Sequence, residues 1–180
     1  MNMSLGGGAS VALDSAVSGA VTAGISVVVA AGNNNADACG FSPARVPNAV
    51  TVGNIDPSSD KRFSGTEGSN FGTCLDIFAP GVKILSTGNG SDTATSVYTG
   101  TSQAAPHVAG VAALYLEFHT GASPMDVRNA IIAVANNSST PNCGGVIDRQ
   151  GGSPNTLLQW HPTSDGQHSG DPHVVTVEGV

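Results

Sequence analysis

A continuous apolar segment, ISVVVAAG at residues 25–32, constrains the fold of this chain more than any other feature. It is rich in β-branched residues and lacks polar alternation, a pattern typical of a strand buried on both faces of a parallel sheet. Residues 9–23 just before it carry small apolar residues at helical spacing, and Gly24 follows in the place of a C-cap. A helix that leads into a buried strand indicates a βαβ unit and an α/β fold.

Further short strands are predicted at residues 49–52 and 75–78, and helices at residues 102–116 and 124–135. Pro106 is tolerated in the first of these helices only within its first turn, so this helix is expected to begin close to Ser102. Ser123 and Asp126 have the spacing of a capping box at the start of the second helix.

The charge balance argues against a nucleic-acid partner. Six Lys and Arg residues stand against 13 Asp and Glu residues, which gives a formal net charge of −7. The longest predominantly apolar run, residues 25–31, is far shorter than the roughly 20 residues that cross a bilayer, so no membrane span is expected. A chain of 180 residues has the length for a single hydrophobic core.

The string GTSQAAPHVAG at residues 100–110 places Ser102 at the start of a predicted helix among small neighbours. A nucleophile there would gain from the positive end of the helix dipole and from backbone N–H groups that can face an oxyanion. A lone Ser at a helix start is more often an N-cap, and its position alone leaves both roles open.

The same string closely resembles the signature around the nucleophile of the subtilisin-like serine proteases. SLGG at residues 4–7, AAGN at residues 30–33 and LDIFAPG at residues 75–81 resemble the same family in order and spacing. The chain is most similar to the proteinase K-like and aqualysin-like branch, through NNNADAC, SPARVP, GVAALYLE and GSPNTLL. This resemblance implies a three-layer α/β fold with a mainly parallel sheet, of which the chain contains only the later part, and a partial peptidase domain over residues 1–160.

The resemblance also implies a serine endopeptidase that acts on polypeptides without a catalytic cofactor. Ser102 would be the nucleophile, and the Asn33 side chain would stabilise the oxyanion together with the Ser102 N–H. Two segments would bind the peptide as an added strand and line its specificity pocket. These are Ser4, Leu5 and Gly6 on one side and Ala30, Ala31 and Gly32 on the other. The small residues of the pocket walls imply a broad specificity that leans towards apolar side chains.

The departures from the family matter as much as the match. The family's Asp and His lie in DTG-like and HGT-like motifs, and neither motif occurs in this sequence. A Ser without a base is a weak nucleophile, so the chain alone is expected to be nearly inactive. Gln103 replaces the Met that usually follows the nucleophile, and the loop at residues 56–72 is longer than expected by about four residues.

No other histidine offers a clear substitute. His107 lies about 140° around the helix from Ser102 and is interpreted as structural, as is His119 near the helix end. The tail histidines stand in a linker-like segment where metal binding is a weaker alternative; they are His161, His168 and His173. Two hypotheses stay open: a piece of an endopeptidase whose Asp and His lie upstream, or a catalytically dead subtilase-like module that binds peptides or other partners.

The three cysteines, Cys39, Cys74 and Cys143, allow one disulfide, and their spacing alone cannot choose the pair. The aqualysin-like pattern implies a bridge between Cys39 and Cys74, and therefore secretion into an oxidising compartment. A propeptide or inhibitor is a further expected partner.

The resemblance also implies a structural calcium ion. Its ligands would be Asp76 and the carbonyl oxygens of Pro47 and Ala49, since calcium prefers oxygen ligands. At the other end of the chain, GDPHVVTVEG at residues 170–179 is similar to the opening of a von Willebrand factor type D domain. Residues 161–180 are therefore expected to be a linker and the start of a further extracellular domain.

Overall fold

The computed structural model describes residues 1–135, 145–146 and 149–159. These residues form nine strands and three α-helices, with one short 3₁₀ turn at Ala38–Gly40. In chain order they are β1 (Asn2–Met3), β2 (Gly7–Gly8), α1 (Val11–Thr22), β3 (Val28–Ala30), β4 (Phe41–Ser42), β5 (Val50–Asp56), β6 (Lys61–Arg62), β7 (Ile77–Pro80), β8 (Ile84–Thr87), β9 (Thr95–Tyr98), α2 (Thr101–Phe118) and α3 (Pro124–Ala135).

A five-stranded sheet forms the centre of the molecule. Strands β1, β3, β5 and β7 are neighbours in that order, and all three pairings are parallel. The short β6 runs antiparallel to the end of β5. Two antiparallel pairs, β2 with β4 and β8 with β9, lie outside this sheet. The α/β fold with a mainly parallel sheet is therefore confirmed.

Helices cover the central sheet on both faces, which gives three layers. Alternate residues of the segment 25–32 face opposite sides: Val28 packs in the cluster that contains α2 and α3, whereas Val27 and Val29 pack in the cluster that contains α1. All three valines are buried. This double burial explains why the segment is apolar without a polar alternation.

The predicted helix over residues 124–135 is confirmed, and its cap is reciprocal. The Ser123 N–H donates to the Asp126 carboxylate over 2.9 Å, and the Asp126 N–H donates to the Ser123 hydroxyl over 3.2 Å. The other elements differ in their bounds: β3 is shorter than the apolar segment, and β5 extends to Asp56. The expectation that Pro106 falls in the first helical turn is wrong, because α2 begins at Thr101 and Pro106 is its sixth residue.

A disulfide joins Cys39 to Cys74, as the resemblance implied. It links the loop after β3 to the segment that leads into β7. Cys143 lies outside the described residues, as does the segment 161–180 with its three histidines. None of the helices in the described ranges has the length and apolar character needed to cross a membrane.

Candidate active site

The candidate site lies at the carboxyl ends of β1 and β3, where α2 begins. Open parallel sheets commonly form their sites at this edge. A cavity of about 520 Å³ opens there. Its lining includes Ser102, Asn33 and five of the six expected substrate-binding residues, namely Leu5, Gly6, Ala30, Ala31 and Gly32. Ser4, the sixth, lies beside Ser102 instead.

Two reciprocal hydrogen bonds join Ser4 and Ser102. The Ser4 hydroxyl donates to the Ser102 carbonyl oxygen over 2.7 Å, and the Ser102 hydroxyl donates to the Ser4 carbonyl oxygen over 3.3 Å. Within a helix, the Ser102 carbonyl would normally accept from the N–H four residues later. That residue is Pro106, which has no N–H. The Ser4 hydroxyl supplies the missing donor.

Thr101 orients the Asn33 amide. The Thr101 N–H and the Thr101 hydroxyl both donate to Asn33 Oδ1, over 2.8 and 2.9 Å. Because a backbone N–H can only donate, these contacts fix which end of the amide is the oxygen and leave the Nδ2 hydrogens to donate elsewhere. The Thr101 hydroxyl also accepts from the Gly32 N–H over 3.1 Å. Thr101 is fully buried and ties the end of β3 to the start of α2.

The first turn of α2 has one backbone N–H that no described residue accepts. The Thr101 N–H is bonded to Asn33, and the Gln103 and Ala104 N–H groups are bonded to the Gly100 carbonyl. The Ser102 N–H has no such bond in the described ranges. A negatively charged oxygen beside Ser102 could therefore accept from the Ser102 N–H and from Asn33 Nδ2, the two expected oxyanion donors.

Gly100 allows Asn33 to approach the helix start. A Cβ added at Gly100 would lie 3.2 Å from Asn33 Nδ2 and 3.1 Å from Gln103 Oε1. Its φ of 155° also lies outside the range of ordinary side-chain-bearing residues. Any larger residue here would press on the amide that is expected to bind the oxyanion.

Neither histidine in the described residues makes a hydrogen bond to Ser102. His107 Nδ1 lies 2.8 Å from the Gln103 carbonyl oxygen, within α2. His119 Nδ1 lies 2.9 Å from the Tyr115 carbonyl oxygen, and its ring stacks on Tyr115 with 4.1 Å between centroids. Both contacts agree with the structural roles that the sequence predicts for these residues.

Asp76, the carboxylate expected to bind calcium, is engaged with protein groups on both of its oxygens. Asp76 Oδ2 accepts from the Thr51 N–H over 2.8 Å, and Oδ1 accepts a short hydrogen bond from the Arg128 guanidinium. Burial raises the pKa of the Asp76 carboxyl above its usual value, and the bonds from Arg128 and Thr51 oppose this rise. A calcium ion bound with the Pro47 and Ala49 carbonyls would have to displace the positive charge of Arg128.

Two of these residues escaped the sequence analysis. Thr101 is a buried polar residue directly before the expected nucleophile, and its place beside Ser102 is the signal that could have found it. Arg128 stands 52 residues from Asp76, so no local pattern connects the two.

Comparisons with known proteins all point to one family. A sequence model described as the subtilase family matches residues 1–158. An extracellular serine proteinase of Thermus sp. (strain Rt41A) is 52% identical over 158 residues, which make up 88% of this chain and 36% of that protein. Alkaline serine exoprotease A of Vibrio alginolyticus is 50% identical over 172 residues, which make up 95% of this chain and 30% of that protein.

Among solved structures, a cold adapted subtilisin-like serine proteinase superposes with a TM-score of 0.76 at 49% identity. The match covers 87% of this chain and 53% of that one. The chain thus spans about a third of the length of these two curated relatives and about half of the matched structure.

Proposed function

Because this chain belongs to the subtilase family, we propose that it is the later part of the catalytic domain of a subtilisin-like serine endopeptidase. The observation that carries the proposal is the pair of donors beside Ser102. The Asn33 amide oxygen accepts hydrogen bonds from Thr101, which leaves the Asn33 Nδ2 hydrogens to donate elsewhere. The Ser102 N–H makes no bond to a described residue. Both groups suit a tetrahedral oxyanion at the Ser102 hydroxyl.

In the proposed reaction, Ser102 Oγ attacks the carbonyl carbon of the scissile peptide bond and its proton passes to a histidine base. The carbonyl oxygen becomes an oxyanion that accepts from Asn33 Nδ2 and from the Ser102 N–H. Return of the proton to the leaving nitrogen breaks the C–N bond and leaves an ester on Ser102. Water then hydrolyses this ester by the same steps and restores the Ser102 hydroxyl.

The base and its orienting carboxylate are proposed to lie in sequence outside this chain. The motifs that hold them in the family do not occur here, and the described histidines contact carbonyl oxygens of α2. The second candidate function is a catalytically dead module that binds peptides in the same cavity. The lack of a base near Ser102 among the described residues favours it, whereas the retained oxyanion donors favour the endopeptidase.

Polypeptides are the proposed substrates, bound along Leu5 and Gly6 on one side and along Ala30, Ala31 and Gly32 on the other. We also propose that the protein is secreted. A disulfide is typical of proteins in oxidising compartments, and the Thermus relative is named an extracellular proteinase. A propeptide or protein inhibitor would occupy the same cavity.

The test compares this chain with the product of its complete reading frame. Both are incubated with a fluorophosphonate probe, and labelled peptides are mapped by mass spectrometry. The endopeptidase proposal expects labelling at Ser102 of the complete product and little labelling of the chain alone. If the complete product is folded, binds peptides and stays unlabelled, the binding module is the better description.

A further inference from the structure

Among the described residues that line the cavity, Glu67 is the one that carries a charge. The other lining residues are small, apolar or uncharged polar groups. Glu67 is exposed, so its carboxylate is accessible to a ligand in the cavity. It lies in the loop at residues 56–72, the segment that is longer than the family resemblance leads one to expect.

The loop around Glu67 is fastened to the cavity wall. The Asn35 N–H donates to the carbonyl oxygen of Gly68, the residue after Glu67, over 2.8 Å. Arg62 Nη1 donates to Asn35 Oδ1 over 2.8 Å and to the Ser69 carbonyl oxygen over 2.7 Å. Arg62 therefore joins the base of the loop to the segment that follows the oxyanion asparagine.

Asn70 fastens the other end of the loop to the same wall. Its Nδ2 donates to the Ala31 carbonyl oxygen over 2.8 Å, and its Oδ1 accepts from the Asn34 N–H over 2.9 Å. The Asn70 N–H also donates to the Gly32 carbonyl oxygen over 2.9 Å. A Cβ at Gly32 would lie 2.5 Å from Asn70 Nδ2, so the two segments are in direct contact. The position of Glu67 relative to Ala31 and Gly32 is thus set by hydrogen bonds on both sides.

We propose that Glu67 makes this cavity select substrates with a cationic side chain, Lys or Arg, at the residue that precedes the scissile bond. The proposal rests on the proposed endopeptidase function and names its substrate class. A carboxylate on an otherwise uncharged wall attracts a positive charge that the substrate carries into the cavity, and it disfavours Asp or Glu at the same position. The broad apolar preference implied by the resemblance is thereby shifted towards basic residues.

The test uses the complete secreted protein and four peptide substrates that differ only at that residue: Arg, Lys, Phe and Glu. Wild-type kcat/KM is expected to be highest for Arg and Lys. Glu67→Gln should lower kcat/KM for Arg and Lys about three- to fivefold and leave Phe within about twofold, since only the charge is removed. Glu67→Lys should raise the value for the Glu substrate.

A matched control is Glu117→Gln, which removes an exposed carboxylate from α2 outside the cavity and should change no ratio. The preference for Arg over Phe should also shrink as salt is raised, because ions screen an exposed charge pair. Equal losses on all four substrates in Glu67→Gln, or a wild-type protein that cleaves Phe as well as Arg, would overturn the proposal. A complete protein that cleaves none of the four would instead contradict the endopeptidase function, so the two failures are distinguishable.

Discussion

The Ser4 hydroxyl lies 2.7 Å from the Ser102 carbonyl oxygen, and it makes the bond that α2 cannot make for itself. Pro106 stands where the helical N–H donor would be, and it lacks that hydrogen. The residue that carries the expected nucleophile is therefore held from two directions, by its own helix and by the segment after β1. Ser4 acts here as a positioning residue, although the sequence predicts it as part of the substrate site.

Removing the Ser4 hydroxyl should slow catalysis more than it weakens substrate binding. In Ser4→Ala of the complete protein, the part-buried Ser102 carbonyl loses its partner at a cost of about 1–3 kcal/mol. We expect kcat to fall about tenfold with KM changed less than about threefold. Adding Pro106→Ala should recover part of kcat, because the new N–H can donate to the same oxygen. Ser18→Ala on α1 is the control and should have no effect, and a double variant no better than Ser4→Ala would contradict the account.

The orientation of Asn33 should depend on Thr101. Thr101→Val removes the hydroxyl that donates to Asn33 Oδ1 and accepts from the Gly32 N–H, with little change in volume. Loss of a whole oxyanion donor typically lowers turnover by a factor of about 10²–10³. We expect kcat of Thr101→Val to fall by a smaller factor of about 10–10², because the Thr101 N–H still donates to Asn33 Oδ1. Thr101→Ser should keep most of kcat. Equal rates for the Val and Ser variants would show that the hydroxyl has no such role.

Arg128 should stabilise the fold through Asp76, whose side chain is only 11% exposed. Arg128→Met leaves a buried carboxylate without its cation and should lower the free energy of unfolding by about 3 kcal/mol near pH 7. Burial raises the folded-state pKa of Asp76, and without Arg128 it rises further. Folding then takes up a proton, so the stability loss should be smallest at acidic pH, where protonation removes the buried charge, and should grow as pH rises through the folded-state pKa.

Thermal unfolding from pH 4 to 8 measures this effect. Arg45→Met is the control, because its ion pair with Asp14 is more exposed and is expected to contribute less to stability. Wild-type Tm should change little when calcium is added or chelated, since Arg128 holds the carboxylate. A large calcium-dependent rise in wild-type Tm would show that the ion displaces Arg128 after all.

The disulfide should contribute substantially to stability. Cys39 and Cys74 are 35 residues apart. Closing a loop of that size lowers the entropy of the unfolded chain and should raise the free energy of unfolding by about 3–4 kcal/mol. A Cys39→Ser, Cys74→Ser double variant should lose about this much in a denaturant titration. Thiol counting in denaturant should find one reactive cysteine per wild-type chain, and three would contradict the bridge.

The sequence predicts those features whose cause is local. The apolar run at residues 25–32 marks a strand because both of its faces are buried, and Ser123 with Asp126 marks a helix start because the cap is made within one turn. The polar end of β5 could not be predicted in this way. Asn is typical of loops, yet Asn54 is fully buried and pairs with β7. This pairing forms only when the strands of the sheet come together.

The same difference between local and long-range causes applies to the residues of the site. Ser102 and Asn33 are predicted because the motifs around them resemble a known family, and the structure places them on one cavity. The contacts of Ser4 with Ser102, and of Glu67 with the cavity, join segments far apart in the chain. Such contacts depend on how the layers pack, and no spacing along the sequence encodes them.

The most direct test of the central claim is the chemical fate of the Ser102 hydroxyl in the complete protein. After treatment with a fluorophosphonate probe, intact mass and peptide mapping give the number and position of adducts. The account predicts one adduct per chain, located on Ser102, with loss of peptidase activity in proportion, and no adduct in Ser102→Ala. Peptidase activity that survives in Ser102→Ala, or inactivation by an adduct on another residue, would contradict it.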